Sequence, residues 1–224
     1  MLIHPWDAPT DDSEWRDWLA VHDFGQLTVN GPSGQPPFVQ PLHFAYDPAA
    51  GGHGLGEAIT HLARPNPIWP ALEAAPQVTL SVVDDYAFIP GPWHAPADGP
   101  AEHGTPTSFY AAVLLHCTAR VVDDPGHKAD LLRRQVGHFQ PDGGTAPVTP
   151  DEPPFGRMLP GIRGVRLDVV DVRAKFKFGG NKPVWMQRRD LDLLADRDGP
   201  RDAAARAHQA RRLATRQEKP GDRG

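Results

Sequence analysis

The stretch Ile59-Thr60-His61-Leu62-Ala63-Arg64-Pro65-Asn66-Pro67-Ile68-Trp69 gathers an imidazole, a guanidinium, an amide and an indole. These groups suit an anionic, partly aromatic ligand. Backbone N–H groups at a helix start favour a phosphate. Arg64 can grip it as a fork, His61 can donate a hydrogen bond, and Trp69 has an apolar face. Each residue also has a plainer reading. Asn66 before Pro67 reads as a helix cap, and Trp69 shares helical spacing with Ile68 and Leu72, which favours core packing. Further along, Lys175 and Lys177 point to one face of a strand and Phe176 and Phe178 to the other. Other chemistries find less support. Cys117 is the only cysteine, which excludes an internal disulfide and a thiolate zinc site. It lies in the most apolar strand and reads as inert packing. The 11 histidines include no i, i+4 pair of the helical zinc motif, so no metal site is expected. Ser108 lies outside any nucleophile elbow.

The elements that must position these groups follow from composition and periodicity. Glycine and proline number 22 and 26 in 224 residues, a density that predicts many turns and short strands. A formal charge of −5 argues against a surface wholly devoted to nucleic acid. Asp7, Asp11, Asp12 and Glu14 interrupt any apolar leader, and no run is long enough to span a membrane, so a cytoplasmic location is expected. Asp11 and Glu14 are spaced to open a helix with Trp15, Trp18 and Leu19 on its apolar stripe. Strands are predicted over Phe24–Val29, Pro37–Tyr46, Glu57–Leu62, Gln77–Val83, Tyr86–Ile89, Tyr110–Val122 and Gly164–Phe178. Pro67 suits the first turn of a short helix. Asp124-Pro125 starts another, with Leu131, Leu132, Gln135, Val136 and Phe139 on its buried face. From Asp190 the chain turns helical, then basic, and is expected to fray beyond about Lys219. Short helices between antiparallel strands make an α+β domain around a barrel or curved sheet. The Gly-x-Gly-x-x-Gly fingerprint of a doubly wound sheet is absent.

Four blocks in order carry a family resemblance. They are Thr60 to Trp69, Tyr86-Ala87-Phe88-Ile89-Pro90-Gly91-Pro92-Trp93, Thr105-Pro106-Thr107-Ser108-Phe109-Tyr110, and Gly161-Ile162-Arg163-Gly164-Val165 leading to Ala174–Phe178. Together they resemble the PaiB-type FMN-binding negative transcriptional regulators, from about Met1 to about Lys182. The resemblance implies a split β-barrel of the pyridoxamine-phosphate-oxidase-like kind, a homodimer, and an FMN cofactor. By position it assigns His61, Arg64, Asn66, Trp93, Tyr110, Lys177 and Asn181 to the cofactor. The sequence departs from the family at Ser108, Phe109, Gly179 and Gly180, where an indole, amides and a hydroxyl are lost.

The expected layout is a flavin domain over 1–185 and a helical, arginine-rich tail over 186–224. Three functions compete. The first is a flavin-binding regulator or flavin-dependent oxidoreductase. The second is a cofactor-free barrel dimer that binds a partner. The third is a haem-handling barrel with His61 or His94 as axial ligand. DNA enters only through the resemblance. Arg201, Arg206, Arg211, Arg212 and Arg216 could touch phosphates, but a solvated helix packing Ala203, Ala207, Ala210 and Leu213 is the simpler reading.

Overall fold

A computed structural model describes the backbone of residues 1–217 and the side chains of residues 1–214. The expected fraying beyond about Lys219 and the side chain of Arg216 lie outside the described residues. The helices are α1 (Asp12–Leu19), α2 (Trp69–Ala74), α3 (Pro125–Phe139), α4 (Phe155–Met158), α5 (Val184–Arg197) and α6 (Asp202–Gln217). The strands are β1 (Phe24–Val29), β2 (Phe38–His43), β3 (Ala45–Asp47), β4 (Glu57–Ala63), β5 (Gln77–Ile89), β6 (Thr107–Val122) and β7 (Ile162–Lys177). They form one seven-stranded antiparallel sheet in the order β2-β1-β5-β6-β7-β4-β3. Its two outermost strands, β2 and β3, are neighbours in the chain, separated only by the buried Phe44.

The chain folds as two compact units. One comprises Met1–Glu14, Val83–Val113 and the chain from Ala174 onward; the other comprises Trp15–Val82 and Leu114–Arg173. The second unit is built on alternation. In β1, Leu27 and Val29 point inward and are fully buried, and Leu27 faces Leu80 of β5. In the pairing of β4 with β7, Ala63 lies opposite Ile162 and Glu57 opposite Asp168. Asp124 caps α3, accepting from His127 N at 2.9 Å. Leu131 packs on Ala45 and Ile59, while Ala129 and Leu132 pack on Val148 and Leu159. Phe139, expected on the buried face, is 38% exposed and sets its edge against His43.

Two element boundaries differ from expectation. Helix α2 starts at Trp69 with Pro70 in its first turn, because Asn66 uses its side chain on Ile68 N and closes a separate turn first. The strands predicted on either side of Asp84 are one strand, in which Asp85 adopts a left-handed backbone (φ 53°) and the Asp84 carboxylate accepts from Asp85 N.

In the first unit the region after Lys182 makes two helices where one was expected. Asp198 ends α5 in a left-handed conformation. Asp202 then receives Arg197 through two bonds of 2.7 and 2.6 Å and Gly199 N at 2.9 Å, which fixes the turn. Inside the unit, His94 and Asp190 are joined at 2.9 Å with side chains almost wholly buried, and Gln209 donates to the same carboxylate oxygen at 3.3 Å. Phe109, Phe176 and Phe178 complete the core. The first residues of the chain are laced to the end of β7. Phe176 N donates to Asp7 O at 2.8 Å and Lys175 Nζ to Leu2 O at 2.9 Å. Gly180 permits this approach, since a Cβ there would lie 2.5 Å from the Trp6 carbonyl oxygen.

Two stability outcomes follow. Asp190→Ala strands a buried imidazole and a buried amide, so urea unfolding should show a loss of about 3–5 kcal/mol. Gly180→Ala should cost about 1–3 kcal/mol by overpacking against Trp6. An unchanged urea midpoint for Gly180→Ala would show that the N-terminal segment is not held at this contact.

Candidate functional site

In the second unit, β4 ends at Ala63 and the chain turns sharply. Arg64 N donates to Gly161 O at 2.8 Å, and Asn66 N donates back to Ala63 O at 3.0 Å. The Asn66 amide accepts from Ile68 N at 3.0 Å and donates to Gln40 Oε1 at 2.9 Å. Trp69 Nε1 donates to Ala63 O at 3.0 Å, which closes the turn from the other side. The Arg64 side chain is thereby aimed at Asp123. Its Nε donates to Pro160 O at 2.7 Å, its Nη1 to Asp123 Oδ2 at 3.1 Å, and its Nη2 to Asp123 Oδ1.

Two further cations reach the same carboxylate. Lys128, only 3% exposed, donates to Leu159 O and Ile162 O at 2.9 and 3.2 Å and lies 3.4 Å from Asp123 Oδ1. Arg163 Nε lies 3.3 Å from Asp123 Oδ2, its Nη2 donates to Glu73 Oε1 at 2.6 Å, and its guanidinium covers the Trp69 ring at 4.8 Å. Three cations thus share Asp123, and Glu73 engages the far end of one. The hydrogen bond from Arg64 holds the Asp123 carboxyl below the usual carboxylate range, and the same bond raises Arg64. Arg64 and Asp123 remain 45% and 40% exposed, so the cluster reaches solvent. Beside it, Gln135 donates to His43 O and presents its Oε1 to His61 Nδ1 at 2.7 Å, so Nδ1 carries the imidazole proton.

In the first unit a cavity of about 350 Å³ is lined by His4, Trp6, Asp7, Thr105, Thr107, Lys175, Lys177, Asn181 and Lys182, with Phe109 and Gly179. Lys177 Nζ donates to Thr107 Oγ1 at 2.9 Å, and Lys175 Nζ lies 3.6 Å from Asp7. Both ammonium groups sit 5.8 Å from the Tyr110 ring centre. Burial holds Lys177 below the ordinary lysine range; Lys175 and Lys182 push the same way, and Asp7 opposes them. Burial likewise raises Asp7, against the pull of Lys175, His4 and Lys177.

The seven residues assigned by resemblance therefore fall in two units. In the second, His61 lies near the end of β4, and Arg64 and Asn66 lie in the turn that follows it. Lys177 and Asn181 line the cavity of the first, and Tyr110 lies beside Lys177. Trp93 is half-buried with the Arg197 guanidinium 4.7 Å above its ring. Trp69 is core, 4% exposed. Asp123 and Lys128 give no signal in the sequence, because a carboxylate beside a helix cap and a helical lysine look like solvated groups, and Arg163 stands in a family block without an assigned role. His4, Asp7 and Lys182 left no local signal. Phe109 and Gly179, two positions where the resemblance fails, have structural roles. Phe109 packs on Phe178 at 5.9 Å, and Gly179 needs φ +72° beside that ring. In the tail, Arg201 donates to Asp84 at 2.6 Å, and Arg211 and Arg212 lie 3.3 and 3.4 Å from Glu14. Among the described residues no group of three or more potential ligands could hold a metal, and no helix is long and apolar enough to cross a membrane.

Comparison with known proteins adds to this geometry. Residues 1–171 match the family described as "Putative FMN-binding domain". No curated protein matches the chain. Among solved structures, the flavocytochrome Anf3 from Azotobacter vinelandii is similar with a TM-score of 0.55 and 18% identity over 77% of this chain and 70% of that one. The FAD and heme binding protein from Mycobacterium smegmatis gives 0.55 and 16% over 75% and 72%. The conserved hypothetical protein Rv2991 from Mycobacterium tuberculosis gives 0.53 and 17% over 82% and 94%. At these identities the likeness is one of fold. The family match spans most of the sequence, so the chain belongs to this FMN-binding domain family, with FMN as the cofactor that membership implies.

Proposed function

We propose that the protein is a flavin-binding split barrel of the PaiB type whose cofactor phosphate is gripped by the end of β4, with His61, and the turn after it, with Arg64 and Asn66. The observation that supports this is the convergence of Arg64, Lys128 and Arg163 on the single carboxylate of Asp123. A phosphate needs several cations at one point and a rim open to water, and this cluster has both. Asp123 occupies the position that an anionic ligand would take. The barrel reading draws on the adjacency of β2 and β3, since a sheet whose outermost strands are one bent segment has the connectivity of a closed ring. The proposal extends to a cytoplasmic homodimer, which sedimentation would test.

When bound, the flavin supplies electron or hydride transfer. The chain's own residues hold it. Arg64 offers its fork, Asn66 keeps the turn rigid through Gln40 and Ile68 N, and Gln135 sets the His61 tautomer. A second reading, a barrel that works without cofactor, draws on the same carboxylate, because Asp123 already satisfies the cations.

Absorption spectra before and after FMN addition and desalting separate the two readings: retained flavin bands support the first. In a fluorescence titration, Arg64→Ala should weaken FMN by about 1.5–3 kcal/mol, the range for a charged hydrogen bond. Asp123→Asn should bind FMN more tightly, because the competing carboxylate is gone. Equal losses in both variants would show that phosphate does not replace Asp123.

A further inference from the structure

We propose that a polar cavity in the second unit, at the start of β4, binds a small polar α-amino acid as its zwitterion. This inference does not rest on the flavin reading, since none of the seven residues assigned by resemblance lines the cavity. The cavity has a volume of about 300 Å³. Its walls are Gly51 and Gly52 of the loop before β4, Glu57 of β4, Arg120 of β6, and Arg166 and Asp168 of β7. Two of the four charged groups are already matched. Glu57, 3% exposed, accepts from Arg166 Nε at 2.7 Å and from Arg134 Nη1 at 3.3 Å, so the charges of Glu57 and Arg166 are spent on each other.

The other two charges line the cavity without meeting. Arg120 is exposed, and among the described residues it has no hydrogen-bond or ion-pair partner. Asp168 is fixed in place. Its Oδ1 accepts from Gly52 N at 2.9 Å, and His53 Nε2 lies 3.7 Å from its Oδ2. Gly51 lets the loop come this close, since a Cβ there would lie 2.7 Å from Asp168 Oδ1. The loop therefore holds the carboxylate, and Oδ2 keeps acceptor capacity. A guanidinium and a carboxylate that share a cavity but stay apart match a ligand that carries both charges in the opposite order.

An α-amino acid has that arrangement. Its carboxylate would accept the fork of Arg120, and its ammonium would donate to Asp168 Oδ2. A simple carboxylate or a simple amine would satisfy only one of the two and leave the other without a partner. The cavity stands at the lower end of the range for small-molecule sites. None of its lining side chains is apolar, so it suits a short polar side chain better than a branched aliphatic one.

The test is calorimetric titration of the full chain with L-serine, L-leucine, ethanolamine and β-hydroxypropionate, with and without saturating FMN. Ethanolamine lacks the carboxylate of serine, and β-hydroxypropionate lacks its ammonium. L-serine should bind at one site, with FMN present, and each of these two analogues about tenfold or more weakly. L-leucine should also bind more weakly than L-serine. Arg120→Met should weaken L-serine by about tenfold or more while keeping the wild-type urea midpoint. Asp168→Asn retains an acceptor for Gly52 N but should lose a similar factor, and Arg64→Ala should leave the affinity unchanged. No binding of L-serine to the wild type at millimolar concentration would overturn the site. Full affinity in Arg120→Met would do the same, as would any of the other three compounds binding as tightly as L-serine. Displacement by FMN would also overturn it, and would identify the cavity as part of the flavin site. If instead FMN fails to bind while L-serine still does, the flavin reading falls and this one stands.

Discussion

The register of β7 is the constraint on which both candidate sites depend. Its first residues pair with the end of β4, Ala63 opposite Ile162 and Leu62 opposite Arg163, which brings Arg163 and Arg64, the residue after β4, to the same end of the ladder. The Ile162 carbonyl then holds the buried Lys128, and the cation cluster is complete. The last residues of the same strand, Lys175 and Lys177, line the lysine cavity. A slip of one residue would exchange the two faces along the strand. It would displace Phe176 from the core and scatter the cations.

Buried charge is the second theme. Lys128, Lys175, Asp7 and Asp190 are all nearly inaccessible, and each has a partner. Removing one member of such a pair costs more than the pair contributes, because the survivor stays in a medium that solvates it poorly. These groups therefore constrain what can change nearby. The Asp123 cluster differs by reaching solvent. There the carboxylate anchors three cations, so one residue sets the local order of a cluster open to water.

Positions where the resemblance fails are sites of packing. Phe109 fills core against Phe178, Gly179 takes a left-handed backbone beside the Phe109 ring, and Gly180 lets Trp6 lie close to the turn after β7. A polar side chain at position 109 would have to be satisfied in a space that is apolar and tight. The cavity beside them keeps its polar wall in Thr107, Lys177 and Asn181.

Much of the scaffold is legible in the sequence. Alternation marked β1 residue for residue, Asp124-Pro125 marked the start of α3, and the lysine and phenylalanine alternation near the end of β7 separated its polar face from its core. These are local rules: burial period and cap chemistry act within a few residues, so a short window contains them. What only the tertiary structure decided is convergence. Positions 64, 123, 128 and 163 meet because strand pairing and a helix bring them together, and no spacing along the chain announces it. The same holds for the grouping of the seven assigned residues into two units, for the continuity of β5 through Asp85, and for the carboxylates that hold the tail arginines. A side chain's type is written in the sequence, but its partner is set by register and chain closure, and the partner decides whether a charge is free to bind.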